Sequence, residues 1–99
     1  MNPDMHTVYD ETASLCNRLE ELLRSNEPSS EKERRYNAEF GVVANRVARK
    51  IHRLQLSKSA DLSVFMPPKL CGISHLGTIV KVLRESIEIM EAEMRAAGA

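Results

Sequence analysis

Cys71 and His75 are the residues whose types could support catalysis, because a thiol beside an imidazole can act as a nucleophile with its base. They stand four positions apart in the chain. No third residue that would orient the imidazole, and no glycine-rich loop that would stabilise an oxyanion, accompanies them. A cysteine in such a setting is more often a small buried apolar side chain. The sequence therefore predicts no catalytic residue and a protein that is not an enzyme.

The side chains that could bind a metal ion are spread over the whole chain: Cys16, His52, Cys71 and His75. Structural zinc sites normally use pairs of closely spaced ligands, which this sequence lacks. It also lacks a phosphate-binding glycine loop and a dinucleotide-binding fingerprint. We therefore expect no metal and no cofactor. A disulfide between the two cysteines is geometrically open, but it does not suit the reducing compartment predicted below.

A row of basic residues is the most specific charged feature of the sequence. Its members follow the spacing i, i+3, i+4, i+7 and share one helical face; they are Arg46, Arg49, Lys50 and Arg53, called here the basic stripe. Arg35 shares that face, and Glu39 lies within it. One interpretation is a surface that contacts phosphates or acidic groups. The other is a solvated face that pairs with acidic residues of neighbouring helices.

The last predicted helix has an apolar arc that covers nearly half its circumference. A helix of a small bundle needs an apolar face only about 100° wide, and Val82 and Ile89 lie outside it. These two residues either meet the segment 59–66 or remain available to a partner helix or a second copy of the chain. Met90 would add adaptable apolar surface beside them. The sequence thus predicts an apolar partner-binding face at Val82, Ile89 and Met90.

Residues 72–79 are similar to the turn of a helix-turn-helix motif, in which a Gly-Ile-Ser turn leads into the recognition helix. However, Thr78 comes one position too late for that motif, and Pro67-Pro68 interrupts the helix that should precede it. We therefore favour a core helix that is capped by Ser74.

Three amphipathic helices are predicted to position these residues. The first begins near Asn2 and ends around residues 26–28, where a proline disfavours further helix. The second begins at Ser30, which forms a capping-box pattern with Glu33, and it fades near residue 56. The third runs from Ser74 to about Gly98.

Apolar residues recur in steps of three and four along each helix, which predicts one buried face per helix. These positions are Met5, Val8, Thr12, Leu15, Leu19 and Leu22 in the first helix; Tyr36, Phe40, Val43, Val47, Ile51 and Leu54 in the second; and Leu76, Val80, Leu83, Ile87, Met90 and Met94 in the third. Ala44 and Ala48 lie beside the second set and would allow close helix packing. The predicted fold is an all-α, three-helix antiparallel bundle in up-down-up order, with a short extra helix or turn in the 57–73 connection.

Composition agrees with one globular helical domain over residues 1–99, since 42% of the residues are hydrophobic and 28% are charged. The 14 basic and 14 acidic side chains cancel, although residues 31–58 carry 8 basic against 3 acidic groups. No secretory signal and no apolar run of about 20 residues is present, so we expect a cytoplasmic protein that does not contact a membrane.

These observations favour a non-enzymatic protein-protein interaction module, such as an adaptor, a chaperone-like subunit or a small inhibitor. Its partner would be another protein or a second copy of itself, with a homodimer as the simplest case. The alternative is a small nucleic-acid-binding regulator that uses the basic stripe, for which nucleic acid would be the partner.

Overall fold

The computed structural model describes residues 3–56, 69–70 and 72–98. This part of the chain is almost entirely helical and contains no strand. Its elements are α1 (Pro3–Arg24), α2 (Ser29–Arg35), a π-helical segment (Tyr36–Phe40), α3 (Gly41–Arg53) and α4 (Ser74–Gly98). Helix α1 packs against both α3 and α4, so the predicted all-α bundle is confirmed. The extra element predicted in the 57–73 connection falls mainly on residues 57–68 and 71, which lie outside the described residues.

Helix α1 forms because its apolar residues fall on one face that the other helices cover. Five of the six predicted core positions are buried, namely Val8, Thr12, Leu15, Leu19 and Leu22, and Met5 is half-buried. The hydroxyl of Thr12 donates to the Val8 carbonyl at 2.6 Å, which satisfies this polar group inside the core.

Polar side chains satisfy the carbonyl groups that α1 leaves unpaired at its C-terminal end. The Ser25 hydroxyl donates to the Leu22 carbonyl at 2.9 Å. Lys32, from α2, donates to the Leu23 carbonyl at 2.7 Å. The helix therefore ends close to the predicted position, with its last turn tied to the start of the next helix.

Helix α2 begins without the predicted capping box. Pro28 is the N-cap residue, with φ −60° and ψ 154°, and no side chain caps the helix. The Pro28 carbonyl instead accepts hydrogen bonds from Glu31 and Lys32, each at 3.0 Å. The prediction that Ser30 and Glu33 cap each other is therefore wrong, because the N-cap lies two residues earlier, at Pro28, and Ser30 falls inside the first turn of the helix.

The chain remains helical from α2 into α3 through one π-helical turn. The Gly41 amide donates to the Tyr36 carbonyl, five residues earlier, and Tyr36 and Gly41 both keep right-handed helical dihedral angles. A π turn accommodates one extra residue, so it rotates everything before it by about 100° relative to a regular helix. The π-helical segment therefore separates the faces of α2 and α3 that a continuous helix would align.

The buried face of α3 follows the predicted apolar residues only in part. Tyr36, Phe40, Val47 and Ile51 are buried as expected, and Val43 and Leu54 are half-buried. Ala44 and Ala48, which were predicted beside this face, are 0% and 1% exposed and belong to the core. Small side chains at these positions allow α3 to lie close to the rest of the bundle.

Helix α3 ends in a left-handed turn. Gln55 has φ +57°, and the Gln55 and Leu56 amides donate to the carbonyls of His52 and Ile51, at 3.1 and 3.0 Å. This is the Schellman arrangement, in which an apolar residue after the turn packs back on the helix. Leu56, at 3% exposed, is that residue.

Helix α3 runs antiparallel to α1. Near the start of α1, Glu11 forms an ion pair with Lys50, close to the end of α3. Later in α1, the guanidinium of Arg18 lies 4.9 Å from the centre of the Phe40 ring, immediately before α3 begins. The earlier residue of α1 thus contacts the end of α3, and the later residue of α1 contacts the residue before its start. The two helices therefore run in opposite directions.

Helix α4 also runs antiparallel to α1, so α3 and α4 point in the same direction. The Asn37 side chain exchanges two hydrogen bonds with the Leu70 backbone, at 2.6 and 3.3 Å, which brings the chain to the end of the bundle where α1 stops. Helix α4 starts four residues later, and Arg84 then pairs with Glu20 near the end of α1. The expected up-down-up order is therefore wrong for the last helix, because the chain returns along the bundle before α4 begins.

A basic groove on helix α3 as the candidate functional site

One face of α3 lines an open groove of about 470 Å³. The residues of α3 that line it are Val42, Asn45, Arg46, Arg49, Lys50 and Arg53, called here the basic groove. Positions 42, 46, 49 and 53 repeat in steps of four, three and four, so they form one straight row on the helix. The whole basic stripe predicted from the sequence therefore lies in a single concave surface.

Lys50 does not carry a free charge in this groove. Its ammonium group lies 3.0 and 3.1 Å from the two carboxylate oxygens of Glu11 on α1. Both side chains are largely shielded from solvent, with exposed fractions of 28% and 32%. The interpretation of the stripe as a face that pairs with acidic residues therefore holds for this one member.

The three arginines of the groove behave differently. Arg46, Arg49 and Arg53 are exposed, and none of them pairs with a carboxylate within residues 3–56, 69–70 and 72–98. The interpretation as a solvated pairing face therefore does not account for them. Three uncompensated guanidinium groups on one helical face form a local surface of positive charge on a molecule with no net charge.

Arg35 was expected to share this face, and it does not. Its guanidinium is 2.9 and 3.1 Å from the oxygens of Glu27 and 3.5 Å from Glu39, which holds the pKa of the arginine above its ordinary value. The physical reason is the π-helical segment, which rotates Arg35 away from the face of α3. Glu39, predicted within the stripe, is occupied by the same ion pair and does not line the groove.

Val42 is the member of the groove that the sequence analysis missed. Its side chain is 76% exposed, and it is the one large hydrophobic residue of the described chain with so much exposed surface. Val42 lies one helical turn before Arg46, in line with the arginine row. That spacing is visible in the sequence, but only the neighbouring Val43 was assigned to the apolar pattern and Val42 was given no role.

The predicted apolar face of the last helix is not a surface in this structure. Val82 is 7% exposed, Met90 is fully buried, and Ile89 is half-buried against the same cluster that contains the core of α1 and α3. The premise that Val82 and Ile89 are both free on a single chain is therefore wrong for Val82, while Ile89 is partly exposed. The sequence analysis allowed α4 a buried face about 100° wide, whereas the bundle encloses a wider arc.

Among the described residues, the candidate metal ligands Cys16, His52 and His75 belong to no cluster that could hold a metal ion. Cys71 lies outside the described residues, His52 is exposed, and His75 is half-buried with no hydrogen bond to its Nε2 atom. Over the described part of the chain, no three His, Cys, Asp or Glu side chains are placed to hold a metal ion.

Cys16 is a buried free thiol of low reactivity. Burial, and then its hydrogen bond to Glu20 at 3.3 Å, raise the pKa of this thiol to about 11. Because the thiolate is the reactive form, a cysteine with such a pKa is a poor nucleophile at neutral pH.

Comparison with known proteins adds no relative. No family model matches the chain, and no curated protein or solved structure shows significant similarity to it. Among the described residues, no helix combines the length and the apolar character that crossing a bilayer requires.

Proposed function

We propose that this protein is a non-enzymatic interaction module that binds an acidic, amphipathic segment of another protein in the basic groove of α3. The observation that carries the proposal is the placement of the exposed Val42 in the same groove as three arginines that pair with no carboxylate of the described residues. Such a surface complements a segment that carries both carboxylates and an apolar side chain. An adaptor, a chaperone-like subunit and a small inhibitor could each work through a contact of this kind.

The spacing of the arginines suits a helical ligand. With a rise of about 1.5 Å per residue, Arg46 and Arg49 are about 4.5 Å apart along the helix axis, and Arg49 and Arg53 about 6 Å. Glutamates at positions i, i+3 and i+7 of a second helix have the same separations. Each guanidinium can bind a carboxylate through two parallel hydrogen bonds, which fixes the ligand's register as well as its charge.

Two features favour a protein ligand over nucleic acid. Val42 offers apolar surface, which contributes about 25 cal/mol for each Å² that a ligand covers, and a phosphate backbone has no group to cover it. The described residues that line the groove also include no aromatic side chain on which an unpaired base could stack.

The test uses a designed acidic helix as the probe. An alanine-based peptide of about 20 residues would carry glutamates at i, i+3 and i+7 and one leucine beyond them, a length that supports an isolated helix. We expect groove-dependent binding that weakens as salt is added, because exposed charges are screened. Replacing the three arginines with glutamine should reduce affinity at least about 10-fold, which corresponds to about 1.4 kcal/mol.

A matched control removes the same charge elsewhere. Arg24, Lys81 and Arg95 are exposed on α1 and α4, and replacing them with glutamine should change affinity less than about twofold. Equal losses in both triple variants would reject the groove as the binding site. Duplex and single-stranded oligonucleotides are tested in parallel at about 50 mM salt, where phosphate contacts are strong. Groove-dependent binding of an oligonucleotide in preference to the peptide would replace this proposal with the nucleic-acid alternative.

A further inference from the structure

A carboxylate of the chain itself already pairs with one of the cationic residues that line the basic groove. Glu11 reaches across from α1 and places both of its oxygens within 3.1 Å of the Lys50 ammonium group. Lys50 lines the groove together with the three arginines. The groove thus contains four cationic side chains. One is neutralised by a neighbouring helix, and the other three have no carboxylate partner in the part of the chain that the structure describes.

The position of Lys50 makes this pairing relevant to any acidic ligand. Lys50 follows Arg46 by four residues and precedes Arg53 by three, so it borders both on the helix surface. A ligand carboxylate that approaches between Arg46 and Arg53 would meet Lys50 next. In the structure, that contact is already made by Glu11, through the same pairing of ammonium and carboxylate that an acidic ligand would use.

We infer that Glu11 is an internal competitor for the basic groove, which occupies Lys50 and limits the groove to three free anion-binding side chains. This inference depends on the proposed function, and it adds a residue of α1 that sets affinity and ligand charge. A ligand with three carboxylates would match the groove as it stands. Neutralising Glu11 would open a fourth position, suited to a ligand with one more carboxylate.

The decisive variant is Glu11→Gln, which keeps the shape of the side chain and removes its charge. Binding of an acidic peptide that carries a fourth glutamate, at i+4, should tighten about fivefold, the effect of one further charge pair at about 4 Å in water. The salt dependence of binding should steepen at the same time, since one more exposed charge takes part. Asp10→Asn is the matched control, because Asp10 is the adjacent residue, is exposed, and pairs with no base in the described part of the chain.

Lys50→Gln isolates the mechanism. If Glu11 acts through Lys50, then Glu11→Gln should leave the affinity unchanged in a Lys50→Gln background. Urea unfolding of each variant verifies that the bundle is intact. Equal effects of Glu11→Gln and Asp10→Asn, or an undiminished effect without Lys50, would overturn the role of Glu11 while leaving the groove in place. Binding that ignores the three arginines would instead overturn the proposed function, and this inference with it.

Discussion

Individual side chains in this protein differ in whether their partners can be found from the sequence. The basic residues of the second predicted helix look equivalent in a helical projection. Lys50 and Arg35 nevertheless pair with Glu11 and Glu27, while the groove arginines pair with no carboxylate within residues 3–56, 69–70 and 72–98. The difference arises from which helix lies opposite each side chain, and that depends on long-range packing. The sequence could predict the charged row, but not which of its charges would be available.

Cys16 allows a prediction about stability at high pH. Burial and Glu20 raise its pKa from the ordinary value of 9.0 to about 11, so the folded state retains a proton that the unfolded state loses. This contribution to stability is complete below pH 9 and is lost as the pH rises to 11. The free energy of unfolding should therefore fall across this window, by up to about 1.4 kcal/mol per pH unit from this group.

The measurement is urea unfolding of the wild type and of Cys16→Ala between pH 8 and pH 12, a range that spans about one unit beyond each end of the shift. Buried Tyr36, whose pKa burial raises to about 12, adds a slope of the same sign in both proteins. Their difference therefore isolates the thiol. A constant difference in stability across the range would contradict the assignment of a raised pKa to Cys16.

At the scale of elements, the helices were predictable and the way they join was not. Steps of three and four gave the buried face of α1 almost completely, because a long amphipathic helix has few other ways to bury its apolar residues. The π-helical segment has no comparable local signature. The segment places the Asn37 side chain against the backbone of Leu70, some thirty residues later in the chain, and the two hydrogen bonds between them stabilise it. That contact is invisible to any local reading of the sequence.

Asn37 should stabilise the fold through this backbone contact. Leu70 is 1% exposed, so Asn37→Ala leaves its amide and carbonyl in a buried site without their side-chain partner. The expected cost is about 1–3 kcal/mol. Asn37→Asp should lie between the wild type and Asn37→Ala, because an ionised carboxylate still accepts from the Leu70 amide but cannot donate to its carbonyl.

Hydrogen exchange gives the local readout for this prediction. The Leu70 amide should lose protection in Asn37→Ala well before amides in the middle of α1 do. Asn45→Ala serves as the control, since Asn45 is a half-buried asparagine of α3 with no hydrogen bond to its side chain among the described contacts. An unchanged Leu70 exchange rate, or an equal loss of stability in both variants, would show that Asn37 does not anchor this part of the chain.

At the scale of the molecule, the large apolar side chains of the described residues are buried or half-buried in one core, except for the exposed Val42. Apolar periodicity alone could not separate the two, because Val82 and Val42 each lie beside the apolar face of an amphipathic helix. Val82 became core because it packs into the cluster shared by the three helices, at 7% exposed. Val42, by contrast, remains on the surface, where its side chain is 76% exposed. The two residues therefore make a matched pair for testing which surface the folded protein presents.

We expect the same substitution to act in opposite ways at these two positions. Val82→Glu places a carboxylate in a core that offers it no partner, which should cost several kcal/mol and abolish cooperative thermal unfolding.

Val42→Glu should change stability by less than about 0.5 kcal/mol, the usual range for an exposed site. It should nevertheless weaken binding of the acidic peptide, because the new charge lies beside Arg46 and repels the ligand. Val42→Gln separates this repulsion from the loss of apolar contact. If the Val82→Glu protein is stable and unfolds cooperatively, Val82 is not buried in the core, and the face of α4 that carries it lies on the molecular surface. An unaltered affinity in Val42→Glu would remove Val42 from the binding site.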